Sequence, residues 1–406
     1  MTDAALSIPA DLRPSDGRFG SGPTKVRPEQ LAAVAATGTT YLGTSHRQDT
    51  VRDVVRRVRE GVATLFGLPE GYEVVLGNGG ATTFWDIATF CLIEQRSEHL
   101  SFGEFSSKFA AAAKAAPMIG DPVVLTAEAG DAPELVAEAG VDAYCWPHNE
   151  TSTGVMTRVA RPEGADAGAL TLVDATSGAG GLPVDLSQSD AYYFAPQKAF
   201  ASDGGLWLAV LSPAAIERAE RLCAERWVPA MLDLSIAIGQ SRQEQTYNTP
   251  ALVTLLLMAS QLEWMNEQGG IDWAVRRTAD SSSRLYTWAE KAPYASPFVE
   301  DPEKRSLVVG TIRLDDAIDA GKVVKVLRQN DIVDVGAYRA AGYNGLRVGM
   351  FPAIEPSDVE ALTGCIDWVV DHLSHIGGAT SPASPPRSSR CCRSWSSRSR
   401  NRPRHP

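Results

Sequence analysis

EVVLGNGGATTFWDIATFCL, residues 73–92, reads as a strand, a glycine-rich turn and a helix in immediate succession. At such a junction, Gly77 to Thr82, the unpaired backbone N–H groups and the helix dipole favour a bound phosphate. The stretch is not a Walker loop, because no Gly-Lys-Thr or Gly-Lys-Ser follows, and it does not match GxGxxG. Taken alone it is equally a tight turn between strand and helix.

Outward from this stretch, strand-like and helix-like segments alternate from about residue 50 to 270, which predicts a parallel α/β sheet. Just upstream, Val51, Val54, Val55, Val58, Val62, Leu65 and Phe66 form the i, i+3, i+4 stripe of a helix that Gly67 can stop. Downstream, short strands are expected at 143–146, 169–174, 191–195 and 206–211. After Trp273 the texture changes to SLVVGTIRL (306–314), a helix-like stretch to Leu327, then IVDVGAY (332–338) and LRVGMF (346–351). The expected organisation is a partly flexible segment 1–17, a large domain 18–270, a smaller α+β domain 271–376 and a disordered tail 377–406.

The tail is set apart by composition. It holds seven Arg, many Ser and Pro and no acid, so it cannot bury enough apolar surface to order itself. Without it the body carries a net charge of −18, against −11 for the whole chain. Such a body excludes general nucleic-acid binding and weakly repels anions, so any anionic substrate must be captured by local Arg groups. The N-terminus lacks the basic start and apolar stretch of a signal peptide, and the most apolar run, 251–262, is too short to span a bilayer. A cytoplasmic protein is expected. Cys91, Cys145, Cys223 and Cys365 lie far apart, Cys391 and Cys392 are neighbours in the tail, and no spacing suggests a metal site or a disulfide.

Two charged residues fall at strand ends. Asp174 closes the apolar run LTLVDA (170–175), and Lys198 follows the strand-like YYFAP (192–196). Each could be a structural pair or a solvated rim. Together with a phosphate cup upstream they meet one demand, since pyridoxal 5′-phosphate needs an amine, a partner for its ring nitrogen and an anion site.

The ordered series GNGGATT (77–83), FGEFSSKF (102–109), PHNETSTG (147–154), VDATSGAGG (173–181), FAPQKAF (194–200) and YNTPA (247–251) resembles the class V aminotransferases of fold type I. TSHRQ (44–48) and AYRAAGYNGLRVGMF (337–351) narrow the likeness to an actinobacterial-type branch, over roughly residues 18–375. The resemblance implies a cofactor held by Lys198, which would bond to it covalently and shuttle the proton at the substrate Cα. Asp174 would face the ring nitrogen, Phe105 the ring face and Thr151 the phenolic oxygen. The backbone of Gly80 and Ala81 with the Gln197 side chain would hold the phosphate, with Asn248 and Thr249 reaching in from the second subunit of a homodimer.

Substrate capture would fall to His46, Arg47, Arg339 and Arg347, with L-glutamate as donor and 3-phosphohydroxypyruvate as acceptor; no metal is implied. Four departures stand out. Ala81 and Phe105 replace a common Arg and Trp, Tyr338 a common His, and Tyr343-Asn344 is inserted before Gly345. Three other readings stay open: another class V aminotransferase acting on unphosphorylated oxo-acids; a cysteine desulfurase, against which stand Gln197 rather than His before Lys198 and the lack of an evident exposed Cys in the body; and a phosphate-binding scaffold with a basic RNA-binding tail.

Overall fold

The computed structural model describes residues 6–339 and 342–377. Most of the Arg/Ser/Pro tail, 378–406, thus lies outside the described residues, as do residues 1–5.

The chain opens with α1 (Pro28–Ala36) and α2 (Asp49–Phe66), whose valine stripe is buried and whose C-terminal Gly67 adopts the left-handed conformation at φ 57°. Then come β1 (Glu73–Gly79), α3 (Ala81–Cys91), β2 (Ser97–Ser101), α4 (Glu104–Ala115), β3 (Val123–Thr126) and β4 (Ala143–Pro147). A two-stranded ribbon, β5 (Asn149–Glu150) and β6 (Val155–Met156), precedes β7 (Leu170–Asp174), β8 (Ala191–Phe194) and β9 (Gly205–Leu211). These strands, the ribbon aside, form a seven-stranded sheet in the order β1-β9-β8-β7-β4-β2-β3. Its neighbours are parallel except around β9, which is antiparallel to both β1 and β8.

The exception has a simple cause. Residues 195–204, joining β8 to β9, contain no helix to make a crossover, so the chain turns back on itself. Helices α5 (Pro213–Glu225), α6 (Leu234–Arg242) and α7 (Leu252–Glu267) follow. The apolar run at 251–262 becomes most of α7, which packs against α1, α2 and α8 (Gly270–Lys291) as a core helix. No described helix is long and apolar enough to cross a membrane.

A second core surrounds the three-stranded antiparallel sheet β10 (Ala295–Pro297), β11 (Val309–Leu314) and β12 (Gly345–Gly349), with α9 (Ala320–Gln329) and α10 (Pro356–Gly377). The spine joining the two cores is α8: its Ala274 packs in the first and its Leu285 in the second. Residues 332–338, IVDVGAY, make no strand. Asp331 and Asp334 take positive φ values of 63° and 64°, which break the extension and leave single bridges from Val333 to Arg18 and from Gly336 to Leu346. The N-terminal segment packs on the second core as well. Ile8 and Phe19 are buried in it, and the Ile8 N–H donates to Asn330 Oδ1 at 2.9 Å. Phe19, expected within the 18–270 unit, therefore belongs to the smaller core by contact.

Candidate active site

Three segments meet at the carboxyl edge of the large sheet. Asp174 is the last residue of β7, Lys198 lies four residues beyond β8, and β1 ends at Gly79 beside Gly205 of β9. This is the edge at which open α/β sheets bind ligands.

Asp174 is buried, and both its oxygens are engaged. The Thr176 hydroxyl and N–H donate to Oδ1 at 2.5 and 3.0 Å, and the Trp85 indole donates to Oδ2 at 2.8 Å. Burial raises its pKa, and the donors from Thr176 and Trp85 pull it back. Trp85 sits one turn along α3 from Ala81, so the same helix that offers its N-terminus at Gly80 and Ala81 also grips Asp174.

Lys198 is also buried, and its ammonium donates to the Ser21 carbonyl. Burial pushes its pKa down to about 7; Arg347 pushes the same way, and Asp174 and Glu150 oppose. Gly22 presses against it, since a Cβ there would stand 2.2 Å from Lys198 Nζ and the backbone has φ 135°. Around this amine, the Ser21 and Thr24 hydroxyls, the Gln197 Oε1 and the Arg347 Nε are buried with no hydrogen-bond partner.

The ribbon and α4 close another side. The Glu150 carboxylate accepts from Ser152 N–H and hydroxyl at 3.1 and 2.7 Å, and from Ser106 N–H and hydroxyl, both at 2.9 Å. It thereby fixes the start of α4, whose Phe105 shares a small crevice with Asp174. Thr151 donates its hydroxyl to Ser177 Oγ at 2.7 Å and accepts Arg347 Nη1 on its carbonyl at 3.1 Å. The Arg347 guanidinium lies 5.1 Å from the Tyr338 ring centre, and Tyr338 stands 5.9 Å from Phe105. The small domain therefore reaches the large one at this point.

Of the residues singled out from sequence, Asp174, Lys198, Phe105, Thr151, Gln197 and Arg347 come together here, beside the α3 start at Gly80 and Ala81. His46, Thr249 and Asn78 form a separate group: His46 Nδ1 contacts the Thr249 hydroxyl at 3.2 Å, and Asn78 Nδ2 donates to the Thr249 carbonyl at 2.9 Å. Asn248 donates to Met231 Sδ at 2.9 Å, and Arg47 is exposed. Among the described residues no hydrogen bond or ion pair joins that group to Lys198 or Asp174. Arg339 is exposed, next to residues 340–341, which are outside the described set.

Trp85, Thr176, Glu150 and the Ser21–Gly22 turn were not singled out from sequence. Only Thr176 had a local signal, a hydroxyl two residues after the acid. Sequence spacing also gave no sign that the fold brings Cys91 and Cys223 together across 132 residues, as free thiols with sulfurs 3.4 Å apart.

A buried amine beside a buried carboxylate, a helix N-terminus and several unpartnered polar atoms fit pyridoxal phosphate in size of charge and donor type. Residues 19–362 match the family model for class V aminotransferases, and the chain belongs to that family. It is thus a pyridoxal-phosphate-dependent transaminase of the α/β fold type I. The phosphoserine aminotransferase of Nocardioides sp. is 64% identical over 375 residues, covering 92% of this chain and 100% of the relative. That of Rhodococcus jostii is 62% identical over 374 residues, again 92% and 100%. The crystal structure of a phosphoserine aminotransferase from Cytophaga hutchinsonii superposes with a TM-score of 0.79 at 24% identity, covering 87% of this chain and 99% of that one.

Proposed function

We propose that this enzyme moves the amino group of L-glutamate to 3-phosphohydroxypyruvate, giving 2-oxoglutarate and O-phospho-L-serine for serine biosynthesis in the cytoplasm. The observation that carries this reading is the identity above 60% to phosphoserine aminotransferases over nearly the whole body.

When bound, pyridoxal phosphate supplies an electron sink for the pair released at the substrate Cα. This chain's residues supply the rest. With a pKa near 7, Lys198 holds a large neutral fraction at physiological pH, as an amine that would hold the cofactor and move the proton at the substrate Cα must. Asp174, kept in place by Trp85 and Thr176, would hold a proton on the ring nitrogen. Phe105 offers an apolar face to the ring. The Thr151 hydroxyl, which here donates to Ser177, would hold the phenolic oxygen. The N–H groups of Gly80 and Ala81, with Gln197, take the cofactor phosphate. Arg347, partly buried and with Nε unpartnered, would take the substrate α-carboxylate, with Arg339 assigned to substrate capture beside it.

His46, Arg47, Asn248 and Thr249 belong in this reading to the neighbouring site of a homodimer. Asn78 of this group shares a crevice with exposed Met231 and Tyr247, an apolar surface suited to burial in an interface.

The test is a comparison of oxo-acid acceptors with L-glutamate as donor. Turnover of 3-phosphohydroxypyruvate is expected to exceed that of hydroxypyruvate by orders of magnitude in kcat/KM. Equal efficiencies would reassign the enzyme to unphosphorylated acids while leaving the transaminase assignment intact.

A further inference from the structure

The geometry points to a redox-active pair: Cys91 and Cys223 form a reversible disulfide under peroxide, stapling α3 to α5. Cys91 is the last residue of α3 and fully buried; Cys223 lies two residues from the end of α5 and is half-buried. Their sulfurs are 3.4 Å apart, and Cys91 Sγ also reaches the Leu232 carbonyl at 3.3 Å. Arg226, just past α5, ties the same two ends together by donating Nη1 to the carbonyls of Phe90 and Ile93 at 3.2 and 2.9 Å. The approach is therefore part of the packing of two helix ends, where small adjustments cost least, and side-chain rotation can bring the sulfurs to a bond of about 2.05 Å.

The two thiols are unequal. The contact between the two sulfurs lowers the pKa of Cys223 and, together with burial, raises that of Cys91; Asp233 alongside disfavours ionisation of both. Cys223 is therefore both the more accessible and the more readily ionised, the two properties that select the attacked sulfur. The Cys223 thiolate attacks one peroxide oxygen, becoming a sulfenic acid and releasing hydroxide, which takes up the thiol proton as water. The Cys91 sulfur then displaces the sulfenic oxygen, which leaves as a second water carrying the Cys91 proton. Two thiols are oxidised and one peroxide is reduced to two waters. A pair of this kind acts as a transient sensor rather than a structural bridge. Its position matters because α3 also carries Trp85 against Asp174, so the staple fixes the far end of a helix built into the active site.

The experiment treats the cofactor-loaded enzyme, with Cys391→Ser and Cys392→Ser removing the tail thiols, with hydrogen peroxide, followed by alkylation and peptide mapping. The expected result is a peptide linked through Cys91 and Cys223, loss of both as alkylatable thiols and recovery of both after a dithiol reductant, while Cys145 and Cys365 stay free. A second arm uses Cys91→Ala, in which Cys223 accumulates as a sulfenic acid trapped by dimedone. The proposal is overturned if Cys223 passes to sulfinic acid in the parent protein with Cys91 still free. It is equally overturned if both remain thiols at a peroxide dose that oxidises the tail cysteines of the unsubstituted chain.

Discussion

A single amine, Lys198, carries most of the electrostatic cost of the site. Its pKa falls from the ordinary 10.5 to about 7 in the folded chain, so between those values the unfolded chain binds a proton that the folded chain does not. Folding stability of the cofactor-free protein must then rise with pH across that window, by at most about 1.4 kcal/mol per unit, and below pH 7 the full cost is present. Lys198→Met removes it. Urea midpoints should therefore show the variant more stable than the parent at pH 7, with the gap closing towards pH 10; a constant gap would discard the burial argument. The Trp85 indole makes a second residue-level case. Trp85→Phe leaves Asp174 Oδ2 without its donor at 2.8 Å, so the carboxylate loses a bond that favours its charged form. Turnover near neutral pH should fall about tenfold, and the acid limb of the kcat profile should move to higher pH. An unmoved limb would mean that the indole only packs. Asp174 and Lys198 were legible because strand ends are legible. Trp85 was not, since an aromatic 89 residues from its partner reads as ordinary core until the sheet brings the two together.

Elements decide what the sequence could and could not announce. The valine stripe of α2 and its glycine stop are periodic, local signals, and they fold as read. Reversal of β9 was illegible, because its apolar run has no direction; only the missing crossover between β8 and β9 sets it. In IVDVGAY the β-branched run makes no strand, since Asp331 just before it and Asp334 within it take positive φ and outweigh strand propensity. The start of α2 has a further consequence. Gln48 caps it without a side-chain bond, leaving first-turn N–H groups open beside His46 and Arg47, with Asp49 drawn 3.5 Å from Arg52. If the substrate phosphate sits there, Arg47→Ala should reduce the preference for 3-phosphohydroxypyruvate over hydroxypyruvate by about tenfold or more, the range of one charge-assisted hydrogen bond. Equal losses toward both acids, read as kcat/KM, would reduce this corner to a plain helix entrance.

At the scale of the molecule, an acidic body must gather its anionic substrate at a few arginines, and in one chain those arginines do not all face the same lysine. A dimer resolves this. Sedimentation should find two chains at assay concentrations, with activity falling on dilution below the dissociation constant; a fully active single chain would refute shared sites. The antiparallel strand described above also bears on synthesis. Because β1 is held in the sheet only by β9, residues 73–79 have no partner until residues 205–211 exist. A chain leaving the ribosome therefore carries Val74, Val75 and Leu76 as an unmatched strand while some 130 further residues are translated, and Ile8 and Phe19 wait longer still for Asn330 and Val333. The enzyme's first-made segments are thus among the last to find their partners during synthesis.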